Sequence, residues 1–294
     1  MEVILVYPQG FCRGVIQAIS ITKKTLLNKE TKRPVYILGN IVHNKHISLA
    51  FKSLGLITIT KDDIKNLTYG TIIFSAHGVS PDIYDLAKSQ GLEIVDATCP
   101  KVKEVHDIVK EKIDEGYLVA FLGKKDHIET KGILGISDNV VLVNNNTIPN
   151  FREKTILVSQ TTLSTIETEK KYNLLKEKYP TLELSNQICN ATFNRQKAAI
   201  KASLNVDLAV VVGDKMSNNC NTLRKSIEDS CNVKSILIET VDEFIDFDFT
   251  NISKVSLTSG ASTPKVLVKE VYDFLKNKEL PKEKDLSEYL KLWI

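Results

Sequence analysis

Short apolar runs, each ending in a polar loop, recur along the whole chain. Nine read as strands: "VILVYPQG", "VYILGNIVHNKH", "TIIFSAHGVS", "EIVDATCP", "LVAFLGKKDHIE", "TILVSQTTLS", "LAVVVGDKMSNN", "SILIET" and "KVSLTSGASTP". Helical patterns lie between them in "GVIQAISITKKTL", "KVKEVHDIVKEKIDEG", "TEKKYNLLKEKYP", "ATFNRQKAAIKASL" and "TPKVLVKEVYDFLKNK". Strand and helix alternate, which predicts parallel sheets covered by helices. Leu208–Val212 is apolar at every position and fits a strand buried on both faces. Ser164 and Thr263 stand just ahead of helical stretches and read as N-caps.

The layout repeats around three cysteines. Cys12 follows "VILVYPQGF" and precedes "GVIQAISITKKTL". Cys99 follows "EIVDAT" and precedes a helix opened by Pro100, a favoured first-turn position. Cys189 follows "ELSNQI" and precedes "NATFNRQKAAI". All three occupy strand-to-helix turns, 87 and 90 residues apart. After Cys189 the same order runs to the helix at 263–276 and then lacks a closing strand, a place that Val3–Tyr7 can fill. The expected fold is α/β: a ring of three similar parallel-sheet α/β units with pseudo-threefold symmetry. Their expected spans are 13–98, 99–188 and 189–277, the last completed by residues 1–12. Residues 278–294 read as a charged tail with an amphipathic end.

With 294 residues and 43% hydrophobic content, the chain can bury a substantial core. Its 39 basic and 36 acidic residues nearly balance, which argues against a dedicated nucleic-acid surface but leaves room for a local anion site. "MEVILVYPQG" lacks a basic lead-in and reads as a strand, not a signal peptide; no run is long enough to span a bilayer. The expectation is a soluble, intracellular protein. Five cysteines, an odd number at wide spacing, make a disulfide framework improbable. There is neither a GxxxxGK[ST] loop nor a GxGxxG turn.

Ligands in open parallel sheets bind beyond the carboxyl ends of the strands. The polar loops there offer His43, Asn44, His77, His127, Glu129, Thr161, Thr162, Ser217, Asn219 and Ser262. Three histidines with several hydroxyl and amide groups suit a phosphate or diphosphate. Three thiolates can hold three corners of a [4Fe–4S] cluster and leave the fourth iron open to substrate; a three-cysteine zinc site is the alternative. Glu129, beside His127, is a candidate proton donor. Cys220 and Cys231 share no such place in the repeat and read as structural.

The motifs "GFCRGV", "VHN", "FSAHGVS", "DATCP", "HIE", "SQTTLS", "ICNATFNRQ", "VVVGDKMSNNCN" and "TSGASTP", in this order from residue 3 to about 277, resemble the 4-hydroxy-3-methylbut-2-enyl diphosphate reductase family, the last enzymes of the methylerythritol phosphate route to isoprenoids. The resemblance implies a monomeric trefoil of three α/β domains around one [4Fe–4S] cluster held by Cys12, Cys99 and Cys189. It implies an allylic diphosphate bound among His43, His77, His127, Thr161, Ser217, Asn218, Asn219 and Ser262, with Glu129 delivering protons, helped by Thr161 and His127. It implies electrons from a ferredoxin or flavodoxin, with no nucleic acid or membrane partner. The setting would be the cytoplasm, or an organelle stroma after removal of a targeting peptide. The chain departs from the family pattern at Ile128, usually Pro, at Lys124, usually His, and at Asn218, usually Ser. The rival readings are another three-cysteine trefoil enzyme of the quinolinate synthase kind and a non-enzymatic iron–sulfur sensor.

Overall fold

The computed structural model describes residues 1–144 and 148–280, so most of the expected tail lies outside the described residues. In chain order the first third holds β1 (Glu2–Leu5), α1 (Arg13–Leu27), β2 (Val35–Leu38), α2 (Lys45–Ser53), β3 (Leu56–Ile59), β4 (Thr71–Phe74), α3 (Pro81–Ser89) and β5 (Glu93–Asp96). The middle third holds α4 (Pro100–Asp114), β6 (Leu118–Leu122), α5 (Ile128–Leu134), β7 (Val140–Val143), β8 (Thr155–Ser159), α6 (Thr165–Lys178) and β9 (Glu183–Ser185). The last third holds α7 (Asn190–Ala202), β10 (Leu208–Val212), α8 (Asn218–Cys231), β11 (Ser235–Ile238), β12 (Lys254–Ser259) and α9 (Lys265–Asn277).

The strands form three four-stranded sheets, parallel at every pairing: β3-β2-β4-β5, β7-β6-β8-β9 and β11-β10-β12-β1. Each sheet has the same spatial order, with the second strand outermost, then the first, the third and the fourth. In the last sheet β1 takes the fourth place and pairs with β12, Glu2 opposite Lys254 through Leu5 opposite Leu257. The fold is thus three parallel-sheet α/β layers of one design.

Period-two alternation along the central strands explains how each sheet is covered. Leu208, Val210 and Val212 face α9 through Leu267, Val271 and Leu275, whereas Ala209 and Val211 face α7 and α8 through Ala199, Leu223 and Ile227. All five residues of β10 are wholly buried, as the unbroken apolar run predicts. In the second sheet Val119 and Phe121 pack on Val105, Val109 and Ile133, while Ala120 and Leu122 pack on the α6 side at Leu175.

Several elements escape the sequence pattern. Edge strands β3 and β7 are not among the nine runs, although their sequences, LITI and VVLV, are as apolar and as short as that of the edge strand β11, which is. Helices α2, α3, α5 and α8 carry polar first turns that read as loop. Ser164 caps α6, its Oγ accepting from Glu167 N at 3.3 Å. Thr263 does not cap α9, whose N-cap is Pro264. Its hydroxyl instead donates to the carbonyl of Val212 at 2.9 Å, a tie from the loop to the neighbouring strand.

The chain gathers into two compact units. One comprises Met1–Arg13, His43–Ala50 and the chain from Asn190 onward; the other comprises Gly14–Val42 and Phe51–Cys189. Among the described residues no helix is long and apolar enough to cross a membrane.

Candidate functional site

The second unit carries His77, Cys99, His127, Glu129, Thr161 and Cys189. Its β4 runs into Ser75-Ala76-His77-Gly78, where Ser75 Oγ lies 3.1 Å from His77 Nδ1. Gly78 adopts φ +73°, and a Cβ there would press on Val102, Thr98 and the His106 ring, so only glycine lets the chain turn this closely behind His77. Burial pushes His106 down to about 4, with Lys110 adding to the shift, so that supporting ring is neutral.

His127 is the N-cap of α5, and its Nδ1 accepts the N–H of Glu129 at 3.2 Å. A ring nitrogen that accepts carries no proton, so neutral His127 bears its proton on Nε2 and can donate from there. The rings of His77 and His127 stand edge to face with centroids 6.0 Å apart. Ile128 opens α5 without breaking the cap, and its Cδ1 packs toward Gly39. The Lys124 backbone N–H is held at 3.0 Å by Oε1 of the buried Gln160, whose Nε2 also donates to Thr162 Oγ1 at 3.0 Å.

Glu129 is 2% exposed. Thr161 N donates to its Oε1 and Thr161 Oγ1 to its Oε2, each at 2.8 Å. Burial pushes the carboxyl up to about 7, against the opposing pull of the two Thr161 bonds. A carboxyl so placed holds a proton for a substantial fraction of the time at neutral pH and is suited to giving it away.

The first unit carries Cys12, His43, Asn44, Ser217, Asn218, Asn219 and Ser262. Ser217 is buried and caps α8, its Oγ accepting from Cys220 N at 3.4 Å and leaving the hydroxyl proton to donate elsewhere. Asn218 is 7% exposed at the first position of that helix. Asn219 is a tie: Oδ1 accepts from Ala261 N at 3.1 Å and Nδ2 donates to Thr192 Oγ1 at 3.3 Å. Ser262 Oγ donates to the carbonyl of His43 at 2.9 Å. Asn44, read from the sequence as a pocket residue, is a buried helix-start residue whose Oδ1 accepts from Ile47 N at 3.1 Å. Burial lowers His43, partly offset by Asp214, so His43 is a neutral ring at physiological pH.

The three cysteine turns are built alike. Cys12 N donates to Ala261 O at 3.0 Å, Cys99 N to Ala76 O at 3.0 Å and Cys189 N to Thr161 O at 3.1 Å. Each acceptor lies two residues beyond the end of the strand neighbouring the cysteine's own: β12, β4 and β8. Each cysteine is half-buried, lies outside any disulfide and directly precedes a helix. That chemistry fits thiolate ligation of an iron–sulfur group. Among the described residues no three His, Cys, Asp or Glu side chains gather tightly enough for one metal ion; cluster thiolates bind separate irons and need not gather so closely. Cys220 is wholly buried with its thiol pushed up to about 11 by burial, and Cys231 Sγ donates to Ile200 O at 3.3 Å.

Sequence reasoning placed the helix now seen as α7 but did not single out its buried stripe, Thr192, Arg195, Gln196 and Ala199. The signal was available: polar residues at positions i, i+3 and i+4 of a helix, on the face that ought to be apolar.

The LytB protein family matches residues 3–276. The 4-hydroxy-3-methylbut-2-enyl diphosphate reductase of Lysinibacillus sphaericus (strain C3-41) is 43% identical over 285 residues, covering 94% of this chain and 88% of that protein. The solved E-1-hydroxy-2-methyl-but-2-enyl-4-diphosphate reductase from Plasmodium falciparum superposes with TM-score 0.86 at 33% identity, covering 99% of this chain and 97% of that one. A solved (E)-4-hydroxy-3-methyl-but-2-enyl diphosphate reductase, the terminal enzyme of the non-mevalonate pathway, superposes with TM-score 0.65 at 29% identity, covering 94% of this chain and 99% of that one.

Proposed function

This chain belongs to the LytB family, and on that premise we propose that it reduces 4-hydroxy-3-methylbut-2-enyl diphosphate to isopentenyl diphosphate and dimethylallyl diphosphate. The reaction replaces a C–O bond by C–H: two electrons and two protons enter, and the hydroxyl leaves as water. The observation that carries this reading is the buried Glu129–Thr161 pair, a neutral-pH proton store in a chain of reductase ancestry. Neither a sensor nor a zinc scaffold has use for such a store, and the matched relatives bear the reductase's name rather than that of a quinolinate synthase.

In this reading Cys12, Cys99 and Cys189 hold one [4Fe–4S] cluster; the alike cysteine turns support it. When bound, the cluster supplies the electrons and an open iron that polarises the substrate hydroxyl. The chain's own residues do the rest. Neutral His43, together with His77 and the Nε2–H of His127, offers donors to diphosphate oxygens, joined by Ser217, Asn218 and the second amide hydrogen of Asn219. Thr161 and Ser262, whose hydroxyl protons go to Glu129 and to the carbonyl of His43, brace the site. Glu129 releases the proton that makes the leaving hydroxyl water, and Thr161 steadies the carboxylate left behind. Anchoring the diphosphate away from the reacting end contributes positioning.

The same reading divides the chain into domains at 13–98, 99–188 and 189–277, the last completed by residues 1–12, in a monomeric trefoil fed by a reduced ferredoxin or flavodoxin in the cytoplasm or an organelle stroma. The test is turnover. Protein purified without oxygen, given a reduced donor and the hydroxylated diphosphate, is expected to form both products; no consumption of substrate contradicts the reading.

A further inference from the structure

Arg195 is 3% exposed on the inward stripe of α7, and its guanidinium stays charged at every accessible pH. Nη1 donates to the carbonyls of Pro8 at 3.0 Å and Ser259 at 3.2 Å, and Nη2 donates to the carbonyl of Gly10 at 2.6 Å. Pro8 and Gly10 lie in the segment that leads from β1 to Cys12. Ser259 ends β12 and is followed by Gly260, Ala261 and Ser262.

Above that fork the two segments are laced together. Gly10 N donates to Ser259 Oγ at 3.2 Å, and Cys12 N donates to Ala261 O at 3.0 Å. Gly10 takes φ +73°, and a Cβ there would collide with the Lys265 side chain, so the turn has no slack on its other side. Buried carbonyls need donors, and a planar fork serves several from one rigid group, which the point charge of a lysine does not.

We propose that Arg195 is a positioning residue: by holding the carbonyls of Pro8, Gly10 and Ser259 on one fork, it fixes the Cys12 thiol in register with the Ala261–Ser262 loop. Its relevance to catalysis rests on Cys12 being a cluster ligand; the clamp itself does not. α7 then has a task beyond packing, since Thr192 on the same stripe accepts from Asn219 and so ties the α8 start to the same loop.

The test challenges full-length protein, kept free of oxygen, with a chelator and iodoacetamide together, and reads alkylation at each cysteine by mass spectrometry. Arg195→Lys keeps the charge but loses the fork. Its Cys12 is expected to alkylate about tenfold faster than in the parent, the equivalent of one lost charge-assisted hydrogen bond, with Cys99 and Cys189 unchanged. Ser259→Ala removes only the Gly10 acceptor and leaves the fork in place, so it serves as the control with a smaller change. Arg195→Gln, which keeps a single amide NH2 in place of the fork, carries the test if Arg195→Lys fails to fold. Unchanged Cys12 labelling overturns the proposal, and so does equal acceleration at all three cysteines, which would mean general loosening. Parent protein that carries no iron would sink the cluster reading, while the labelling would still decide the clamp.

Discussion

Thr161 grips Glu129 twice, backbone N–H to one carboxylate oxygen and side-chain hydroxyl to the other, both at 2.8 Å, while its own carbonyl receives the N–H of Cys189. One residue therefore links the proton store to a cysteine turn. Glu129→Gln keeps the shape and removes the proton. Turnover is expected to fall by about 10²- to 10⁴-fold, with KM and iron content close to parent. Steady-state kinetics beside iron analysis checks this, and an unimpaired variant would remove Glu129 from the chemistry.

The hydroxyl of Thr161 favours the charged carboxylate, so its loss should raise the carboxyl of Glu129 further. Thr161→Val is expected to move the alkaline limb of the pH–rate profile upward, and Thr161→Ser to restore it. A profile identical in parent and Thr161→Val would contradict the coupling.

Burial raises Glu129 from its ordinary 4.5 to about 7, so the folded state binds this proton more tightly than the unfolded chain does. Its contribution to stability is complete below about pH 4.5 and is lost as pH rises through about 7, a loss on the order of 3 kcal/mol. Denaturant melts from pH 5 to 8 should show a decline in the parent that Glu129→Gln lacks. Parallel curves would contradict the assignment.

How far the sequence alone reached follows from what it encodes locally. The unbroken apolar run Leu208–Val212 announces a two-sided central strand, and the cysteines mark their turns by even spacing. The edge strands β3 and β7 carry short apolar runs, LITI and VVLV, as legible as that of β11, and were passed over. His127 and Ser217 were legible as polar site residues but not as helix caps, because a cap depends on the backbone that follows it. Thr263 shows the converse: a plausible cap that found a carbonyl on β10 instead. Arg195 was passed over because partners nearly two hundred residues away cannot be read from spacing.

Gly213 and Gly260 let α8, and with it Ser217, approach the ends of β10 and β12, since a Cβ at either would run into Cys220 Sγ. Gly260→Ala is expected to cost about 1–3 kcal/mol by overpacking. Cys220→Ala in the same chain should recover part of that loss. Chemical denaturation of the two single variants and the double tests it; strict additivity would mean that the sulfur is not the obstacle.

The central claim is that Cys12, Cys99 and Cys189 together hold one iron–sulfur cluster, and metal analysis of protein purified without oxygen tests it most directly. The account predicts a brown protein with about four irons and four sulfides per chain, lost on serine substitution at any of these three positions and kept on substitution at Cys220 or Cys231. A colourless protein, or iron that survives loss of one of the three, would contradict it.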